Sequence, residues 1–219
     1  MQNSYLQLEK DATGKYHPIL AGLEDAGRII NGVSRVDVEA IEKTAMPLTV
    51  IPSYPDLPME LVYPRVKNSG IAGVHLREIG RGRVVYFPWD IDRTFWEVMS
   101  PDHGKLLSNA VRWALNEEPF VTVTGAGMID VTVWRQKESM TVHLVNLTNP
   151  MLMKGPIREL IPISEQKVKV QLPQGMKAKK VQLLVSGKTL RTEEANGYLS
   201  VTVPTILAHE VVAIDLLAK

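Results

Sequence analysis

From Phe120 onward, apolar and polar positions alternate in segments of strand length. Val121 and Val123, then Ile129, Val131 and Val133, then Val142, Leu144 and Val145 set the pattern. Val168, Val170 and Leu172 continue it, followed by Val181 to Val185, Leu199 to Val203 and Val211 to Leu216. A period of two places one row of each segment on a buried face and the other in water. Turn residues separate the segments: Gly125-Ala126-Gly127, Gln136 to Ser139, Pro173-Gln174-Gly175, Ser186-Gly187 and Asn196-Gly197. The last is the strongest hairpin signal, because both residues tolerate the positive φ that a two-residue turn demands. About seven or eight strands at this spacing predict an antiparallel β-sandwich. Residues 149–164, with Pro150, Pro156 and Pro162, read as a longer connection.

Ahead of Pro119 the pattern changes. Leu106, Leu107, Ala110, Val111 and Ala114 recur at helical spacing and predict a helix from Ser100 to Asn116. Ser100 suits the cap, Pro101 the first helical position and Asp102 the first turn. Arg83 to Phe87, entered through Gly80 and Gly82 and closed by Pro88, reads as a buried strand. Ile71 to Leu76 and Leu48 to Ile51 have similar character. Strands followed by a helix that packs back on them predict an α/β layer. Pro47, Pro52, Pro55, Pro58 and Pro64 mark an extended loop between them, since each proline removes a backbone donor. The chain therefore divides into residues 1–118, an α/β domain, and 119–219, a β-sandwich domain.

Composition narrows the functions open to it. The 25 Lys and Arg nearly balance the 24 Asp and Glu, for a net charge of +1. No strong field exists to hold a nucleic acid or an anionic membrane. Neither a membrane span nor a secretory signal is visible, so a cytoplasmic location is expected. Cysteine is absent, which excludes disulfides, thiolate metal sites and a cysteine nucleophile. None of the five histidines, His17, His75, His103, His143 and His209, has a second at metal-ligand spacing, and no cofactor motif is present. His143 and His209 read as satisfied structural residues within or beside strands, His75 as packed in a strand and His103 as exposed or capping.

The densest polar and aromatic cluster is Trp89-Asp90-Ile91-Asp92-Arg93-Thr94-Phe95-Trp96, read as a loop directly after a predicted strand. Ligands of open α/β sheets bind in such loops. Indole faces stack on sugar rings and carboxylates accept hydroxyl hydrogen bonds, so Trp89, Asp90, Asp92, Arg93 and Trp96 are candidate carbohydrate contacts. The competing reading makes the tryptophans core and the charges a cap or salt bridges. Glycoside hydrolysis needs two carboxyl groups flanking the scissile bond at about 5–10 Å. Two acids two residues apart on one loop do not supply that, and no catalytic residue is assigned. Asn146-Leu147-Thr148 matches a glycosylation sequon, but it continues a strand. Asn146, Thr148 and Asn149 are expected to satisfy backbone groups at the strand end.

Three stretches carry a family likeness: His17 to Leu23, Gly80 to Pro88 and Leu106 to Ala114. Together they resemble the C-terminal half of domains related to class I glutamine amidotransferases, in particular trehalose-utilisation (ThuA-like) proteins and the trimerisation domain of β-galactosidases. Val142 to Pro150, Gly155 to Pro162 and His209 to Val212 resemble the β-domain that follows such a module in glycoside-hydrolase-like proteins. The resemblance implies a partial flavodoxin-like, amidotransferase-like α/β layer followed by a β-sandwich. It does not bring an active site. An amidotransferase-like domain would place further elements, including the cysteine turn, before His17, and its His-x-Glu pair is replaced here by Pro88-Trp89-Asp90. The catalytic barrel of the relatives is also missing.

Two readings follow. In the first, the chain is a non-catalytic accessory or oligomerisation module of a carbohydrate-active, glycoside-hydrolase-like protein. Its partners would be further copies of itself or a separate catalytic-barrel subunit, with a carbohydrate at the Trp89 to Trp96 segment. In the second, it is a small independent sugar-acting hydrolase using that segment. An incomplete layer leaves an open sheet edge to cover, so an oligomer is expected.

Overall fold

The computed structural model describes residues 4–42, 44–52, 68–148 and 158–218. Pro55, Pro58 and Pro64 of the proline-rich segment, and Asn149, Pro150 and Pro156 of the later connection, lie outside them. The chain divides into two compact units, Met1–Glu118 and Pro119–Lys219.

In the first unit, β1 (Tyr5–Leu8) lies between β2 (Arg28–Ile30) and β3 (Leu48–Ile51), and both pairings are antiparallel. A second sheet is the hairpin of β4 (His75–Ile79) and β5 (Gly82–Tyr86). Gly80 takes φ +59 at the first central position of its two-residue turn, where II′ hairpins need glycine. An antiparallel bridge between Thr49 and Ala72 ties the approach to β4 onto β3. Two helices follow: α1 (Ile91–Val98) and α2 (Pro101–Leu115). The predicted α2 is present, bounded by Ser100, whose side chain makes no capping hydrogen bond, and by Asn116 in the left-handed conformation at φ 53. Leu106 and Ala110 of its apolar stripe pack against Leu6, Leu20, Leu23, Ile29, Leu48 and Val74 in one core.

The expected flavodoxin-like, amidotransferase-like α/β layer is not what the described strands form. Such a layer is built from parallel strands with helical crossovers. Here the connection from β4 to β5 is a two-residue turn, too short for a crossover, so the pair must run antiparallel. The three-stranded sheet is antiparallel as well. The strand expected at Ile71 to Leu76 begins instead at His75, while the Ile71 carbonyl accepts from Val50 N at 2.9 Å and Gly73 N donates to the Leu48 carbonyl at 2.7 Å, so the preceding residues bond to β3.

The second unit has two four-stranded antiparallel sheets around one core, as the alternation predicts. One has the strand order 176–183, 209–218, 139–146, 129–135, the other 192–195, 198–203, 166–171, 121–124. In the first, β7 is Ile129–Arg135, β8 Ser139–Asn146, β10 Met176–Leu183 and β13 His209–Ala218. In the second, β6 is Val121–Thr124, β9 Gln166–Gln171, β11 Thr192–Ala195 and β12 Tyr198–Val203. Met140, Val142 and Leu144 of β8 meet Val168 and Val170 of β9 and Leu199, Val201 and Val203 of β12 in that core. Asn196 and Gly197, at φ 52 and 80, make the turn from β11 to β12, the geometry their sequence calls for. Among the described residues no helix is long and apolar enough to cross a membrane.

Candidate functional site

The segment from Trp89 to Trp96 is mostly helix, not loop. Asp90 stands at the N-cap of α1, and a helix from Ile91 puts Asp92 and Trp96 four residues apart on one face. That periodicity is hard to see in the sequence because the apolar residues Ile91, Phe95 and Val98 are few and interleaved with charge.

Trp89 belongs to the core. It is 5% exposed, its indole N–H donates to the Gly73 carbonyl at 2.8 Å, and Phe87 and His103 meet its ring edge-on at 6.1 and 5.6 Å. Neither face is open to a sugar, so Trp89 takes the packing role among the two read from the sequence. His103 corrects its expectation too. It is fully buried and donates from Nε2 to the Ile30 carbonyl at 2.7 Å, tying α2 to β2.

The Asp90 carboxylate is occupied. Oδ1 accepts the Ser34 N–H at 3.1 Å, and Oδ2 lies 2.7 Å from an Arg93 guanidinium nitrogen. Backbone bonds run alongside, from Val36 N to Pro88 O and from Asp90 N to Ser34 O, so residues 34–36 are stitched to 88–90. Gly32 approaches the same pair so closely that a Cβ there would collide with the Asp90 carboxylate and the Trp89 ring. Asp92, Arg93 and Trp96 face solvent, Trp96 at 52%. The structure thus brings Asp92, Arg93 and Trp96 onto one exposed helical surface and assigns Trp89 and Asp90 to holding it in place.

The same stitching places a residue the sequence did not single out. Arg35 pairs with Trp89 across an antiparallel bridge, and its side chain is 7% exposed. Its Nη1 donates to the Ala72 carbonyl at 3.0 Å, its Nε is buried without a hydrogen bond, and Asp37 stands 3.5 Å away, fully exposed. Arg35 and His75 line a depression of about 400 Å³ with Asp37, Glu39 and Met46. The His75 Nε2 is likewise buried and unpartnered, and its ring lies 6.1 Å from Tyr86. Burial first, and the Arg35 charge second, push His75 below the usual histidine range, so it is neutral near pH 7. A neutral imidazole, a guanidinium and exposed carboxylates can hydrogen-bond a small polar molecule. The bridge to Trp89 and the bond to the Ala72 carbonyl hold Arg35 in this grouping, and neither has a local signature. Among the described residues no group of three or more His, Asp and Glu could hold a metal ion.

The chain matches no family model and no curated protein. It is similar in fold to an α-L-fucosidase, isoenzyme 2 from Paenibacillus thiaminolyticus, at a TM-score of 0.67 and 18% identity. That likeness covers 97% of this chain and 31% of the fucosidase. A GH42 β-galactosidase from G. stearothermophilus matches 78% of this chain and 18% of its own length at 12% identity. The TM-score of that match is 0.40. The chain is therefore similar in fold to part of that α-L-fucosidase, and it spans less than a third of that enzyme's length.

Proposed function

We propose that the chain acts as a non-catalytic accessory or oligomerisation module of a glycoside-hydrolase-like protein. The observation that carries this reading is the fold likeness over 97% of the chain to under a third of an α-L-fucosidase. The occupied Asp90 carboxylate adds support, because an acid committed to Arg93 and the Ser34 N–H is poorly placed to move protons at a glycosidic bond. The partners would be further copies of the chain or a subunit bearing a catalytic barrel. Sugar contact would use the exposed face of α1, with Trp96 as a stacking surface beside Asp92 and Arg93.

The test is hydrolysis of aryl α-L-fucosides and β-D-galactosides by the purified chain, together with light scattering. The expected result is no release above blank and a mass of two or more copies. Turnover abolished by Asp90→Asn or Asp92→Asn would establish the alternative, a small hydrolase. A monodisperse monomer at micromolar concentration that also fails to bind any barrel-bearing subunit would remove the assembly role.

A further inference from the structure

The outward face of the sheet β11-β12-β9-β6 gathers basic and hydroxyl side chains in register. Its inward residues, Val168, Val170, Leu199 and Val201, are in the core, so their neighbours along each strand must point the other way. Thr122 of β6 pairs with Lys169 of β9, which pairs with Ser200 of β12, which pairs with Glu193 of β11. The next row runs Thr124, Lys167, Thr202. With Arg191 at the margin these rows line an open depression of about 810 Å³. Glu193 is the one acid among the residues lining it, against Lys167, Lys169 and Arg191. Lys167 and Arg191 are exposed and in no ion pair among the described residues, while the Lys169 ammonium lies over the Tyr198 ring at 4.4 Å. In a chain of net charge +1, this face concentrates positive charge next to hydroxyl groups.

We propose that this face binds an acidic saccharide, a chain of sugar rings bearing carboxylates. Lysine and arginine pair with carboxylates while threonine and serine hydroxyls exchange hydrogen bonds with sugar hydroxyls. Lys167 and Lys169 stand two residues apart on β9, about 7 Å, and Arg191 sits near β11, two strands away, roughly 10 Å across the sheet. Charges so spaced meet an extended ligand and not a single ion. An acidic peptide is a poorer fit, because extended peptides dock on strand edges through main-chain bonds, whereas this face offers side chains only. Single-stranded nucleic acid needs open aromatic platforms, and the Tyr198 ring is covered on one side by Lys169.

The proposal is tested on the full chain by affinity electrophoresis and calorimetry at low salt. The probes are polygalacturonate, the same polymer fully methyl-esterified, and polyglutamate. Polygalacturonate is expected to bind, weakening as salt rises, and the esterified polymer and polyglutamate to bind at least about tenfold more weakly. The K167E/K169E double variant and Arg191→Glu should each lose about tenfold in affinity. Lys179→Glu, on the opposite sheet, should not. Circular dichroism establishes that each variant is folded, and Lys167→Gln serves if a charge reversal is not. No binding of polygalacturonate, unchanged binding in the folded K167E/K169E or K167Q proteins, or equal binding of polyglutamate would each overturn the proposal.

Discussion

Glu210 concentrates a large energetic role in one side chain. It is 3% exposed on β13, yet it carries a carboxylate where an isolated charge would be costly. Three backbone donors offset that cost: Oε1 accepts from Val185 and Val211, both at 2.9 Å, and Oε2 from Ser186 at 3.1 Å. Burial alone would raise its pKa, but the backbone donors, led by Val211 and Val185, outweigh it and leave the group below its ordinary value of 4.5. A folded pKa below the unfolded one gives stability that is present above about pH 4.5 and lost as pH falls through the folded pKa. Glu210→Gln should therefore cost about 1–3 kcal/mol at pH 7 in urea unfolding. Its deficit should shrink on acidification below pH 4.5, and a pH-independent deficit would count against a charged role. Asn146 is the neutral counterpart. Buried at 6%, it donates to the carbonyls of Ile161 at 2.7 Å and Leu207 at 2.8 Å and accepts from Thr148 N at 3.0 Å. The strand-end role expected of Asn146 is the one the structure gives it.

At the scale of elements, α1 and the strands beneath it depend on Trp89. One indole joins Gly73, Phe87 and His103, and its backbone pairs with Arg35. Truncating it leaves a cavity and an unpaired carbonyl, so Trp89→Ala should lower stability by about 3–5 kcal/mol. Trp96→Ala, seven residues on and half exposed, should change it by less than about 0.5 kcal/mol. Paired urea melts measure the contrast, and similar losses in both variants would contradict the burial difference. The two tryptophans look alike in the sequence, each beside an aspartate or a glutamate, and only one is in the core. The chemistry of the α1 segment is legible in its residues, but its helical state is not, because eight residues supply barely two turns of periodicity.

At the scale of the molecule, each unit has its own core, one built on Leu6, Leu48 and Leu106 and the other on Met140, Leu144 and Leu199. The sandwich forms antiparallel ladders in both sheets within residues 119–219. Residues 119–219 expressed alone should fold cooperatively, with a β-rich circular dichroism spectrum and dispersed amide resonances. A collapsed spectrum without a cooperative melt would refute this. The sandwich is legible in the sequence because strict alternation repeats along β8, β9 and β12, and each repeat reinforces the same face. The first unit is legible as to its long helix and not as to its sheets, since short apolar runs fit parallel and antiparallel strands equally.

What the sequence determined by itself was local and repetitive: the alternating strands, the Asn196-Gly197 turn, the extent of α2 and the absence of cysteine chemistry. These follow from backbone sterics and side-chain period, which act between neighbours in the chain. Only the tertiary structure decided strand direction in the first unit, the burial of Trp89, the pairing that sets Arg35 beside His75, and the row that lines Lys169 up with Thr122 and Ser200. Each of those joins residues far apart in sequence. Their positions depend on which surfaces the cores bury, and no single segment carries that information.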